Sequence, residues 1–250
     1  MNIILLETGE VKDQKAVLAD DRARHIVKVL RSIPGDTVKV GMVNGKIGSG
    51  TIKQLSSTPP YRVVIAVRLE QEPPPTPPLD ILLALPRPIM LRRILSQVAT
   101  LGIGHLYVVN ANRVEKSFWN GSITNADSCR NYFLDGLAQA VDTRLPGISF
   151  HRGFKPFMED FARLAPGYKL LLLAHPNCRD TLAEVFRPGC GRILLAIGPE
   201  GGWVDYEMDR MREAGFSMFS IGSRILKVET AVTALHSMVS LLNSQSFRRY

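Results

Sequence analysis

The chain has 250 residues, of which 31 are Lys or Arg and 23 are Asp or Glu, so it carries a formal charge of +8. With 45% hydrophobic and 22% charged residues and a mean hydropathy of +0.03, it can bury a substantial core and is excluded from the disordered, collagen-like and membrane-embedded classes. A pI near 9.6 points to a polyanionic partner such as ribosomal or transfer RNA, or DNA.

The longest apolar runs, such as Leu170 to Ala174, fall far short of the roughly 20 residues of a membrane-spanning helix. The opening Met1-Asn2-Ile3-Ile4-Leu5-Leu6-Glu7 has neither a basic n-region nor a cleavage site, so a cytoplasmic protein is expected. Cys129, Cys178 and Cys190 lack the paired spacing of a disulfide framework or a zinc site and read as small core fillers; no metal is expected.

Taken in chain order, Asp20 is placed to cap a helix whose apolar side is His25, Ile26, Val29 and Leu30 and which Pro34-Gly35 stops. Arg22, Arg24, Lys28 and Arg31 stand on its remaining surface. Thr37 to Gly41, Ile47 to Leu55 and Tyr61 to Leu69, separated by turn signals, read as strands of a small barrel. Gly45 to Gly50 is glycine-rich but lies between strands, with no helix N-terminus to receive a phosphate. Five of the six residues from Pro73 to Pro78 are proline, an extended linker. It divides a domain at 1–72 from a larger one at 79–250.

Beyond the linker the pattern alternates strand and helix, as in an α/β domain with a largely parallel sheet. Strands are expected at Leu79–Leu85, His105–Asn110, Tyr168–Ala174, Arg192–Ile197 and Ser217–Ile221. Helices are expected near Pro88–Leu101, Ser128–Val141, Phe157–Arg163, Arg179–Phe186, Asp205–Ala214 and Thr230–Asn243, the fifth closed by Gly215 and the last capped by Thr230. Trp119 reads as packing its own loop onto the domain.

Two strand ends carry the chemistry. The run Leu194 to Gly202 passes from a buried strand into Gly198-Pro199-Glu200-Gly201-Gly202, where glycines let a ligand approach the main chain. The segment Ile221 to Ala231 adds Gly222 for close approach and Arg224 and Lys227 for phosphate, before a long apolar helix. No phosphate-loop or dinucleotide fingerprint is present, which counts against a nucleotide-dependent enzyme of Rossmann type.

Together IGPEGG at 197–202 and IGSRILKVETAVTAL at 221–235 resemble the RsmE family of 16S ribosomal RNA uridine-N3 methyltransferases, members of the SPOUT superfamily. The stretch from His25 to Arg31 with Pro34-Gly35-Asp36, the strand ending Ala174-His175-Pro176, and the helix end Gln97 to Gly102 are similar to further family motifs. Lys227, Thr100 and Ala138 depart from the usual residues. Unaided, the α/β rhythm implies a doubly wound sheet. The resemblance implies instead an α/β SPOUT domain with a deep trefoil knot, an N-terminal PUA-like β-barrel that helps hold RNA, and a homodimer with each active site near the subunit interface.

It further implies that S-adenosylmethionine meets three loops, with Leu173, Ala174, His175, Ile197, Gly198, Gly202, Ile221, Gly222 and Leu226 as cofactor-binding residues. Glu200 is the candidate to accept the uridine N3 proton, and Arg224 the candidate to stabilise charge on the uracil oxygens. Arg22, Arg24, Lys28, Arg31, Arg113 and Arg144 are the candidates for holding 16S ribosomal RNA or the small ribosomal subunit. A non-catalytic RNA-binding assembly factor, and a methyltransferase acting on another RNA position, remain open at this stage.

Overall fold

The computed structural model describes residues 1–189 and 191–246, so Cys190 lies outside the described residues. The chain forms two compact units, Met1–Pro75 with Phe133–Leu145, and Thr76–Tyr132 with Pro146–Tyr250. This differs from a division at the proline run alone, because 133–145 returns to the first unit. Asn2 and Ile3 N–H donate to the Ala138 carbonyl, the Asn44 N–H to Thr143, and the Thr143 hydroxyl to Gly45. All but the last are main-chain bonds, and all span nearly a hundred residues or more, which leaves no local trace in sequence.

In the first unit, β1 (Ile4–Leu6), β2 (Val11–Lys12), β3 (Lys15–Leu18), β4 (Thr37–Met42), β5 (Ile47–Leu55) and β6 (Val63–Gln71) form one sheet in the order β1-β4-β5-β6-β3-β2. All its pairings are antiparallel except β1 with β4. Alternate residues such as Val38 and Val40, or Val63, Ile65 and Val67, point into a common core, as period-2 patterning requires. Helix α1 (Asp21–Lys28) begins where Asp20 accepts the Arg22 N–H at 3.0 Å. It ends before Pro34-Gly35, because the chain leaves the helix at Val29 and Arg31 takes a left-handed φ of 52°.

Arg22, a candidate RNA contact, is half-buried and engaged with its own chain. Its guanidinium donates to both Glu10 oxygens, to Asp20, and at 2.6 Å to the Leu5 carbonyl, joining α1 to the strands beneath it. Hydrogen bonds from Arg22 hold the Glu10 and Asp20 carboxyls below the usual carboxylate range. Arg24, Lys28 and Arg31 are exposed, with the Lys28 ammonium 5.5 Å from the Tyr61 ring centroid. Arg144 is half-buried and donates to the Pro73 carbonyl at 3.2 Å, so it too is engaged with its own chain.

The second unit is a six-stranded, wholly parallel sheet built from β7 (Leu79–Ala84), β8 (His105–Val109), β9 (Gly147–His151), β10 (Leu170–Ala174), β11 (Ile193–Ile197) and β12 (Ser217–Phe219). Their order is β12-β10-β11-β7-β8-β9. Helices α2 (Pro88–Thr100), α3 (Ala126–Ala140), α4 (Phe154–Leu164), α5 (Leu182–Val185), α6 (Asp205–Glu213) and α7 (Val228–Ser246) lie between and after the strands in sequence. Strands β7 and β11 are buried at every position, which is why they read as apolar runs, β7 interrupted only by Asp80. β9 escaped the sequence reading because its five residues are all half-buried and alternate apolar with polar. Thr230 stands inside α7 rather than at its cap, and Gly215 closes α6 with a left-handed φ of 93°.

At the N-terminal edge of this sheet sits one buried carboxylate. Asp80, 1% exposed, accepts from Arg192 Nε at 2.7 Å and Nη2 at 2.8 Å, from the Tyr168 hydroxyl at 2.6 Å and from the His105 N–H at 2.7 Å. These donors come from the starts of β8, β10 and β11. Nearby, the Ser149 hydroxyl lies 3.1 Å from His105 Nε2 and 3.0 Å from His151 Nε2. Burial pushes both histidines below their ordinary range. Cys129 is fully buried, and burial raises its thiol to about 11, whereas Cys178 is only half-buried and not a core filler.

Two outcomes follow for stability. Arg192→Ala leaves the Asp80 charge buried without its cation and lowers unfolding free energy by about 3–5 kcal/mol in urea titrations. Because burial makes His105 and His151 harder to protonate in the folded chain, the unfolded chain binds more protons below its histidine pKa of about 6.5, so stability falls as pH drops through that value. Melting temperatures measured from pH 7.5 to 5.5 should decline less steeply in His151→Gln than in the native chain.

Candidate functional site

Parallel pairing sets the C-terminal ends of β10, β11 and β12 side by side. Ala174 is level with Ile197 on one neighbour and with Phe219 on the other, and all three residues line a cleft of about 290 Å3. The loops that leave these strands complete its wall, as expected at the carboxyl edge of an open α/β sheet. Of the nine residues expected at the cofactor, Ala174, His175, Ile197, Gly198, Gly202, Ile221, Gly222 and Leu226 line the cleft. Leu173 does not: it alternates to the other side of β10 and is wholly buried in the core.

The loop geometry depends on two of its glycines. A Cβ on Gly198 would stand 3.1 Å from Trp203 Cδ1 and Nε1 and 3.4 Å from its backbone nitrogen, so the indole is seated directly on that glycine. Trp203 is 2% exposed, packs 5.9 Å from the Phe154 ring of α4, and its Nε1 is buried without a hydrogen-bond partner. Gly202 has a φ of 74°, which a larger residue adopts at a cost, and its N–H closes a turn onto the Pro199 carbonyl.

Polar groups are few. His175 Nδ1 accepts the Asn177 N–H at 3.3 Å, which leaves the proton of the neutral ring on Nε2. Burial pushes His175 below the ordinary histidine range; Asp205 pulls the other way, and Arg113 adds to the push. Glu200 Oε1 accepts the Arg87 N–H at 3.5 Å, at the start of α2. Both Glu200 and Arg224 are exposed at the cleft.

Arg113, expected from sequence to touch RNA, lies in the cleft wall, where its Nη1 donates to the Gly201 carbonyl at 2.5 Å. Sequence reasoning also missed Trp203 and Phe219, which line the cleft together with the strongly exposed Ile225 of a loop expected at the cofactor. Trp203 follows IGPEGG directly, and its aromatic character was the available signal. Trp119 is 6% exposed, donates to Asn110 at 2.8 Å and carries the Arg152 guanidinium 5.4 Å from its ring, so it packs its own loop as expected. Among the described residues, no group of three His, Cys, Asp or Glu side chains is arranged to hold a metal, and no helix is long and apolar enough to cross a membrane.

The sequence profile of the RNA methyltransferase domain matches residues 72–240, more than half of the chain. Ribosomal RNA small subunit methyltransferase E of Treponema pallidum is 33% identical over 100% of this chain and 94% of its own length. The chain belongs to the ribosomal RNA small subunit methyltransferase E family. Its Borreliella burgdorferi relative, named ribosomal RNA small subunit methyltransferase E 1, is 26% identical over 94% of this chain and 95% of that protein. Among solved structures, the family member from Neisseria gonorrhoeae bound to S-adenosyl methionine superposes with a TM-score of 0.77 at 21% identity, covering 97% of this chain and 98% of that one. A methyltransferase from Legionella pneumophila in complex with SAM gives 0.76 at 20% identity over 97% and 98%. The fold of this family member is therefore the mixed α/β fold of those enzymes.

Gly198→Val should therefore act through Trp203. It drives a methyl group into the indole and the adjacent backbone, so the loop shifts even though the strands remain. We expect an altered tryptophan near-ultraviolet circular dichroism signal and a loss of about 1–3 kcal/mol in stability, with far-ultraviolet spectra unchanged; an unperturbed tryptophan signal would contradict this packing.

Proposed function

We propose that this chain transfers a methyl group from S-adenosylmethionine to N3 of a uridine in 16S ribosomal RNA. The observation that carries the reading is the cleft at the level ends of β10, β11 and β12, lined by eight of the nine residues that the family resemblance assigns to the methyl donor. Its chemistry suits that molecule. Aliphatic and aromatic side chains, among them Ile197, Trp203, Phe219 and Leu226, suit a flat adenine and a ribose, while Arg113, His175 and Asn177 offer polar contacts for the amino-acid end. Gly222 has a φ of 125°, and a Cβ there would meet nothing within 4 Å, which leaves room beside the loop.

When bound, the donor supplies an electrophilic methyl group on a sulfonium. The task of the chain is to hold the target nitrogen in line and to manage its proton. Uridine N3 is protonated in the neutral base and becomes nucleophilic as that proton leaves. Glu200, exposed at the cleft, is assigned to accept it, and Arg224 to stabilise the negative charge that develops on the uracil oxygens. Because N3 lies on the Watson–Crick edge, the base must be unpaired or drawn from its stack. Arg24, Lys28 and Arg31, exposed on the first unit, are assigned to flanking phosphates. On the same family resemblance we read the first unit as a PUA-like barrel, the second as carrying a deep trefoil knot, and the working form as a cytoplasmic homodimer.

The decisive experiment incubates the protein with methyl-labelled donor and small subunits lacking the modification, then maps the label by mass spectrometry. Label on uridine N3 supports the reading; label on a ribose oxygen or on transfer RNA refutes the position, and no label from a chain that binds RNA favours a non-catalytic assembly factor. Glu200→Gln should lower kcat by about 10²–10⁴-fold, the usual range for a general base, with donor affinity within about threefold of the native value; a native kcat in this variant would remove Glu200 from the mechanism.

A further inference from the structure

The mechanism leaves a buried carboxylate at the edge of the cleft loops without a use. Glu207, on the first turn of α6, is 2% exposed, and a carboxylate at such depth persists only where donors satisfy it. Its two oxygens face two different loops. Oε1 accepts the Asn112 N–H at 2.7 Å, and Oε2 accepts the Val204 N–H at 3.1 Å. Val204 ends the loop that runs through Gly198 and Trp203, and Asn112 precedes Arg113 on the loop after β8. One carboxylate thus ties together two segments more than 80 residues apart.

The consequence falls on Arg113. Its side chain lies against Gly201 so closely that a Cβ there would be 3.1 Å from Arg113 Cβ and Cδ, and its Nη1 donates to the Gly201 carbonyl. A guanidinium whose main chain is anchored on one side and whose tip is anchored on the other has little freedom left. It presents its remaining donors at the cleft, near enough to His175 to add to the downward push on that imidazole. We infer that Glu207 is a positioning residue: by binding Asn112 and Val204 together it fixes Arg113 and the Gly201–Gly202 wall at the rim of the methyl-donor cleft. This inference rests on the methyl-donor reading of that cleft and assigns it a residue outside its lining. A glutamine at 207 offers one acceptor oxygen where two N–H groups need partners and turns an NH2 group toward the other, so the two loops can no longer both be held.

The test compares the native chain with Glu207→Gln, Arg113→Ala and the double variant, with S-adenosylmethionine as the titrant. Each single variant should raise the donor Kd and KM by about tenfold, the scale of one lost hydrogen bond to a charged group, while kcat stays within about threefold. The double variant should bind scarcely more weakly than either single one, since Glu207 acts through Arg113. In 15N-resolved spectra the Asn112 amide proton should move upfield in Glu207→Gln. Additive losses, unchanged donor affinity in a folded Glu207→Gln, or an unmoved Asn112 amide would each overturn the inference. Should Glu207→Gln fail to fold, Arg113→Ala, altered at an exposed residue, decides alone: native donor affinity in that variant overturns it. A native chain that binds no donor defeats the methyl-donor reading and this inference with it, whereas native binding with indifferent variants defeats the inference alone.

Discussion

The Asp80 carboxylate is the constraint on which the second unit turns. It sits at the start of a central strand, flanked by β11 on one side and β8 on the other, and takes hydrogen bonds from the starts of both neighbours and from Tyr168 just before β10. Parallel strands are evenly bonded along their length, so nothing in the ladder itself forbids a slip between apolar runs of similar residues. Leu170–Ala174 and Ile193–Ile197 are such runs. A buried charge satisfied only in one alignment penalises every other register, because a slip would leave it without donors. Fixing the beginnings fixes the ends: Ala174, Ile197 and Phe219 finish level, and the cleft is what that level row encloses.

The two edges of the sheet therefore do different work with the same kinds of groups. At the N-terminal edge, Asp80 is fully satisfied and Tyr168, raised far above its ordinary range by burial and then by the hydrogen bond to Asp80, stays protonated and inert. At the C-terminal edge, glycines and short loops replace side-chain networks, and the polar groups that remain are left facing the cleft. This is the usual division in open α/β sheets, where the carboxyl edge binds and the amino edge stabilises. Arg192 and Arg113 illustrate it: one guanidinium locks register through a bidentate pair, and the other leans on a carbonyl with donors to spare.

What the sequence revealed was what depends on neighbours in the chain. Buried parallel strands read as apolar runs, the helix at Asp21–Lys28 carries its own cap, and the glycine-rich strand ends announce close approach to the main chain. The cleft residues were legible for that reason, with Leu173 lost only because period-2 alternation turns it away from its neighbours Leu172 and Ala174 in the same run. What stayed hidden depends on long-range partners. The return of 133–145 to the first unit rests on long-range bonds, main-chain ones at Ala138 and Thr143 and side-chain ones at Thr143 and Asn44, that no local pattern announces. β9 is half-buried throughout and so lacks an apolar run. Glu207 reads locally as an ordinary acid in a helix first turn, and only the fold reveals that it reaches Asn112 as well as Val204.

The basic composition shows most clearly where counting stops and structure begins. A net charge of +8 treats every arginine alike, yet Arg22 gives its guanidinium to Glu10, Asp20 and a carbonyl, Arg192 gives its own to Asp80, and Arg144 caps Pro73. A guanidinium so engaged has fewer donors left for a phosphate, whatever its contribution to the pI, and in Arg22 and Arg192 the bidentate fork that suits a phosphate is already filled by a carboxylate. The charge that matters to a polyanion is the exposed remainder. On the first unit it includes Arg24, Lys28 and Arg31, set among the exposed apolar side chains Val29, Leu30 and Ile33. Cations beside apolar surface can meet both the backbone and the unstacked bases of a single strand, whereas cations alone would hold any duplex through its phosphates. The separation of engaged from available arginine, rather than the total, is what decides whether a basic protein can offer a face to a polyanion.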